Sequence, residues 1–244
     1  MIEALHKSAL SILPISTICA VAGLIMGIFT VTGLGLKLST YIVSMAGDSL
    51  MLLCVLAFIA SIILGMGLPT VACYLLLAVL VAPAMIQFGV IPLAAHLFVF
   101  YFGIISAITP PVAIAAYVGA GIAEAKPMQV GVTACTIALP AFLVPFIFVY
   151  NPGLLMVGTP FDIIQVCVTT LLGSFLCAVG TQGYFFARLH AWERIIAVGC
   201  ALAMLVPETF TDIIGLGGGS FILIIGFTRA KRQKTGFASN SCGA

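Results

Sequence analysis

From Ser49 to Ala123 the chain runs for 75 residues without one Asp, Glu, Lys or Arg. A helix needs about 20 apolar residues to cross the hydrocarbon layer of a membrane, so this stretch holds material for more than three crossings and has nothing with which to face water. The rest of the sequence agrees: 63% of the 244 residues are hydrophobic and 7% charged, whereas soluble domains average about 25% charged. The solvent of this protein is therefore lipid. Backbone groups in lipid must find their partners inside the protein, so the expected class is an all-α integral membrane protein, a multi-span helical bundle. The net charge of +2 gathers in the tail, at Arg229, Lys231, Arg232 and Lys234. It reads as a topology signal, not as a nucleic-acid surface.

Within that class the sequence is punctuated by Gly and Pro. Leu10 to Leu34 reads as a first span, uncleaved, which Gly33, Gly35 and Lys37 end. The connector Lys37 to Asp48 carries apolar Leu38, Tyr41, Ile42 and Met45 at helical spacing and is expected along the interface. Next, residues 49–90 read as a re-entrant hairpin, with arms Ser49 to Leu64 and Val71 to Ile86 around the tip Gly65-Met66-Gly67-Leu68-Pro69-Thr70. Two glycines and a proline let the chain reverse there without regular helical bonding. Two ordinary spans meeting at a loop are the alternative.

Residues 92–123 read as a broken helix. Pro92 to Ile105 and Val112 to Ile122 are separated by Ser106-Ala107-Ile108-Thr109-Pro110-Pro111. Two consecutive prolines remove two backbone donors and disfavour helix at Thr109. Met128 to Tyr150 is a further span and closes a unit of residues 1–155. Residues 156–228 hold about three more membrane segments: Asp162 to Phe186, then two short ones from Ile195 to Phe227, interrupted at Val206 to Thr209. Residues 229–244 form a polar tail. Placing Lys126 inside puts Arg188, Arg194, the tail and Lys7 on the cytoplasmic side, leaves Lys37 on the other, and opens the hairpin to the outside.

A helix break beside a hairpin tip is how secondary transporters build a midplane site: helix N-termini face an anionic group and freed oxygens coordinate sodium. The candidate sodium ligands are the carbonyls or hydroxyls of Gly65, Gly67 and Thr70 at the tip and of Ser106, Ala107, Ile108 and Thr109 at the break. Outside these motifs the polar residues read blandly. His96 is expected as a hydrogen-bonded structural histidine and Gln87 as interfacial. Tyr74, Tyr101 and Tyr117 are expected as packing or interfacial aromatics, and Glu124 and Lys126 as a solvated loop. Seven of the eight cysteines are expected as small buried hydrophobes, and Cys242 as a thiol in the tail. No HExxH and no GxxxxGK[ST] occurs, so neither an enzyme nor an ATP-driven pump is expected, and no cofactor beyond sodium as coupling ion.

The runs GMGLPT at 65–70, AAHLFVFYFGI at 94–104, ITPPVAIAAYVGAGIA at 108–123 and VPFIFVYNP at 144–152 resemble the large membrane subunit of TRAP transporters (tripartite ATP-independent periplasmic transporters), in its fused form. The likeness covers residues 1–155 well, and the remainder is similar to the variable C-terminal extension of fused permeases. The resemblance implies half of an inverted-repeat elevator transporter, the second repeat, in a bacterial inner membrane with the C-terminus cytoplasmic. It implies sodium-coupled import of organic acids, C4-dicarboxylates among them. The expected partners are a periplasmic substrate-binding protein, a small permease subunit, a first-repeat half and membrane lipid. In that scheme Met66, Pro69, Thr70, Thr109, Pro110 and Pro111 border the substrate. Many fused members carry an acidic residue where this chain has Ala107. The alternative function is a non-transporting accessory or degenerate remnant of such a permease.

Overall fold

The computed structural model describes residues 31–185 and 187–204, with scattered positions from 3 to 29 and from 215 to 219. Residues 10–15 and the positions 18, 19, 22, 26 and 30 of the predicted first span, the predicted interruption at Val206 to Thr209 and the polar tail lie outside the described residues. The chain divides into two compact units, residues 1–135 and 136–244.

In the first unit Gly33 takes a left-handed conformation (φ 66°), and helix α1, Leu34–Ala46, follows at a bend of 69° to Gly23–Phe29. Gly33 therefore ends the first segment as expected, but Gly35 and Lys37 do not. They lie inside α1, where Lys37 N donates to Gly33 O. The predicted connector is thus a packed helix. Its buried stripe is Gly35, Ser39, Ile42 and Ala46, while Tyr41 and Met45 are exposed. Gly35 allows close approach, since a methyl group there would lie 3.2 Å from Val79 O.

Ser49 caps α2, Leu50–Gly65, by accepting from Leu52 N at 3.3 Å. After the tip come α3, Thr70–Leu80, and α4, Ala82–Gln87. The second hairpin arm is therefore kinked at Val81. Pro83 lacks a donor and Ala84 N turns back to Val81 O, so Leu80 O accepts the Ser39 hydroxyl of α1 at 3.1 Å instead. Helix α5, Pro92–Ile105, packs against α2, α3 and α4. Phe98 and Phe102 are its fully buried anchors, and Phe102 meets the rings of Phe58 and Phe98 edge-on at 4.7 and 4.8 Å. Helix α6 is Ile114–Ile122, and α7, Pro127–Tyr150, runs on past the unit boundary.

In the second unit α7 packs through Leu143, Phe146 and Ile147 on Val166 of α8, Pro160–Gln182. Thr159 and Asp162 form a capping box at the start of α8, and Gly183 (φ 66°) ends it. The predicted span to Phe186 is therefore too long: Tyr184–Phe185 pairs antiparallel with Ala187–Arg188 in a two-residue ladder. Helix α9, Ala191–Ala203, begins four residues before the predicted Ile195, because the side chain of Glu193 returns to His190 N at 2.6 Å and closes the first turn. Among the cysteines, Cys54, Cys73, Cys177 and Cys200 are buried as expected, but Cys135 and Cys167 are only half-buried.

By length and apolarity Thr70–Gln87, Pro127–Tyr150 and Pro160–Gln182 can each cross a membrane, and Gly23–Phe29 with α1 makes a fourth if the bent pair is one span. Leu50–Gly65 and Pro92–Ile108 are shorter apolar helices. The protein is a helical membrane bundle.

Candidate ion and solute site

The hairpin tip is irregular where its residues demand it. Met66 N still donates to Ile62 O at 3.1 Å, Leu68 N reaches Gly65 O at 3.4 Å, and Gly67 adopts φ +80°, which a side chain disfavours. Pro69 then stands as N-cap of α3 and offers no capping side chain, so the first N–H groups of α3 point out of the helix without a cap.

At the break, α5 tightens into a 3-10 turn over Ser106–Ile108, Thr109 becomes extended, and the Pro110–Pro111 bond is cis. Thr109 N donates to Ser106 O and Ala113 N to Thr109 O, so those two carbonyls are occupied. Ala107 O would look to positions 110 and 111 for a helical donor, and both are prolines. Among the described residues no backbone N–H reaches Ala107 O or Ile108 O. The tandem prolines thus free the first carbonyl, and the irregular backbone after them, which turns Val112 N away, frees the second. Beyond them Ala113 (φ 29°) is the N-cap of α6 and gives it no side-chain cap.

The two hydroxyls at the break are less free than the sequence implied. Ser106 Oγ donates to Gly103 O at 2.6 Å and Thr109 Oγ1 to Ile105 O at 2.9 Å. Each donor is spent on the preceding turn, but a hydroxyl that donates keeps lone pairs for a cation.

Tip and break lie against each other. A methyl group on Gly65 would sit 2.9 Å from Ser106 Oγ, 3.0 Å from Cys73 Sγ and 3.3 Å from Gly103 Cα, and one on Gly67 would sit 3.8 Å from the Val112 side chain. Gly65 and Ser106 are buried, Met66, Ile108, Thr109, Pro69 and Pro110 half-buried, and Gly67, Thr70 and Pro111 exposed. Among the described contacts none brings the Thr70 hydroxyl to the break.

Three further residues belong to this place. Ser61, one turn before Gly65 on the same face of α2, is fully buried, and its Oγ has no hydrogen-bond partner among the described residues. Its signal in the sequence is a lone hydroxyl in an apolar run, four positions from the first tip glycine. Tyr117 is more than a packing aromatic: its hydroxyl donates to Pro111 O at 2.6 Å and braces the break. Gly131 of α7 lets Pro110 and Tyr117 approach, each 3.3 Å from where its methyl group would be. His96 accepts its place as a structural histidine, with Tyr74 OH 3.2 Å from its Nδ1. Glu124 and Lys126 are exposed.

Compared with known sequence families, residues 1–163 match the one described as "Tripartite ATP-independent periplasmic transporter, DctM component". Residues 163–215 match a domain of unknown function, DUF3394. No curated protein and no solved structure matches the chain.

Proposed function

The chain belongs to the DctM component family of the tripartite ATP-independent periplasmic transporters, and we propose that within such a transporter its tip and break form one sodium site and part of an organic-acid site. The single observation that carries this reading is the apposition of Gly65 and Ser106, which joins two interruptions of apolar helices into one polar locus. Helix breaks inside a membrane are tolerated where protein or a cavity satisfies them. Here the carbonyls of Ala107 and Ile108 and the lone pairs of Ser106 and Thr109 are neutral oxygen donors suited to sodium. The unsatisfied hydroxyl of Ser61 is a further one. An unpaired buried polar group costs about 1–3 kcal/mol, and a bound cation would offset it.

The uncapped starts of α3 and α6 supply partial positive charge and N–H donors, which favour a carboxylate. On this reading the hairpin is re-entrant, the solute moves by an elevator mechanism, and a periplasmic binding protein, a small permease subunit and a first-repeat half complete the machine in a bacterial inner membrane, with the C-terminus cytoplasmic. Sodium-dependent organic-acid uptake into proteoliposomes tests it, comparing the chain alone, the chain with a first-repeat half and binding protein, and that assembly carrying Thr109→Ala. The expected result is uptake in the assembly only, with a raised sodium requirement in the variant. An inserted, folded assembly with no sodium-coupled uptake would overturn the reading.

A further inference from the structure

In the second unit the C-terminal end of α8 and the start of α9 close on each other without room for side chains. A methyl group on Gly180 would lie 2.8 Å from Val198 and 3.1 Å from Ala197. Arg194 clamps this junction: its Nε donates to Gly180 O at 3.0 Å and its Nη2 to Thr181 O at 2.7 Å, both in the last turn of α8. The guanidinium is fixed in place by carbonyls at the C-terminal end of α8, whose partial negative charge it meets without a full counter-charge. Among the described residues no carboxylate pairs with it.

Beside this cation, between α7, α8 and α9, lies an open groove of about 750 Å³. It has a polar end and an apolar end. Thr136, Thr181 and Arg194 line the first, and Leu139, Val198 and Leu202 line the second. From Arg194 to Leu202 the groove follows α9 for about 12 Å at 1.5 Å per residue. The packed stripe of α9 is Glu193, Ala197, Cys200 and Ala201, so the groove occupies its opposite face. The described positions Gly215, Gly218 and Gly219 close on Met204, Cys200 and Leu176, away from the groove. Trp192, the single tryptophan of the chain, is half exposed in the same first turn of α9 as Arg194, and amphipathic aromatics gather at membrane interfaces.

We propose that this groove binds one anionic phospholipid, with the headgroup phosphate on Arg194 and an acyl chain along Val198, Gly199 and Leu202 toward Leu139. A fixed guanidinium with no carboxylate beside it among the described residues, at the mouth of an apolar slot, is complementary to that ligand at both ends: its remaining N–H groups match phosphate oxygens, and the slot matches the chain. A zwitterionic lipid satisfies only the second, because its own cation repels Arg194.

Trp192, two residues before Arg194, supplies the readout. The full chain is placed in phosphatidylcholine vesicles in which a minor fraction is either brominated phosphatidylglycerol or brominated phosphatidylcholine. The expected result is that brominated phosphatidylglycerol quenches Trp192 in excess of brominated phosphatidylcholine, reaching half-maximal quenching at an about fivefold lower mole fraction, the scale one cation contributes at an anionic surface. Gly199 has nothing within 4 Å of a would-be methyl group, so Gly199→Phe fills the groove without disturbing the helix pair, and it is expected to abolish the excess. Arg194→Gln is expected to abolish it as well and Arg194→Lys to retain most of it. If Arg194→Gln does not fold, Gly199→Phe decides. Equal quenching by the two lipids, the result if a protein segment or a partner helix fills the groove, would overturn the proposal. So would an excess that Gly199→Phe leaves unchanged, or one that inorganic phosphate alone removes.

Discussion

Gly65 sits where no side chain fits, and the contacts that exclude one are those joining the hairpin to the broken helix. Gly65→Ala would place a methyl group 2.9 Å from the buried Ser106 Oγ. Overpacking of this kind costs about 1–3 kcal/mol, or about 2–4 °C of apparent Tm per kcal/mol in a chain of this size. The detergent melt of Gly65→Ala should fall accordingly, while Gly119→Ala, with nothing within 4 Å, should leave it unchanged or raise it slightly; equal melts would remove the close contact from the account. Gly103 offers a sharper test, because its methyl group would lie 2.7 Å from Cys73 Sγ. Gly103→Ala should destabilise the protein in the native background and much less when combined with Cys73→Ala, a coupling that a double-mutant cycle reads directly. Tyr117→Phe removes the hydroxyl that braces Pro111 O and should cost about 0.5–1.5 kcal/mol. That bond was invisible in the sequence. Six residues separate the partners, and only the turn through Ala113 brings ring and carbonyl together.

Among the elements, α1 shows how a freed backbone group creates a tertiary contact. The kink before Pro83 leaves Leu80 O without its helical donor, and Ser39 supplies one from 41 residues away. Ser39→Ala leaves that carbonyl unpaired in an apolar surrounding and is expected to cost about 1–3 kcal/mol. Ser44→Ala, whose hydroxyl bonds only the nearby Tyr41 O on an exposed face, should be close to neutral in the same melt. The helical period was legible through Leu38, Tyr41, Ile42 and Met45, but the face that is buried, Gly35, Ser39, Ile42 and Ala46, was not. In a lipid-soluble chain both faces are apolar, so hydrophobicity cannot choose between them, and small residues that permit close approach decide instead. The boundaries of α8 and α9 follow from local chemistry: Gly183 stops one helix, and the His190–Glu193 pair starts the next a turn earlier than apolarity alone indicated.

For the whole molecule the open quantity is topology. If the hairpin is re-entrant, Asp48 and Gln87, exposed at its two ends, face the same side of the membrane. In a background without native cysteines, Asp48→Cys and Gln87→Cys should both react with an impermeant maleimide from the outside. Labelling from opposite sides would instead make Thr70–Gln87 a complete span, which its length permits. The order of residues alone assigns the class, because 75 residues without a charge cannot be dissolved in water. Glycine and proline also set two of the places where helices stop, at Gly65 and before Pro110, because they act on the backbone of their own turn. The tandem prolines at 110 and 111 also remove both helical donors from the carbonyl of Ala107, one of the candidate ligands at the break. It took the packed chain to reveal that Gly65 meets Ser106, that Ser61 is buried without a hydrogen-bond partner among the described residues, and that the Ser106 and Thr109 hydroxyls donate to their own helix. Those facts depend on which apolar faces pack together, and where every face is apolar the choice rests on shape at the scale of a single methyl group.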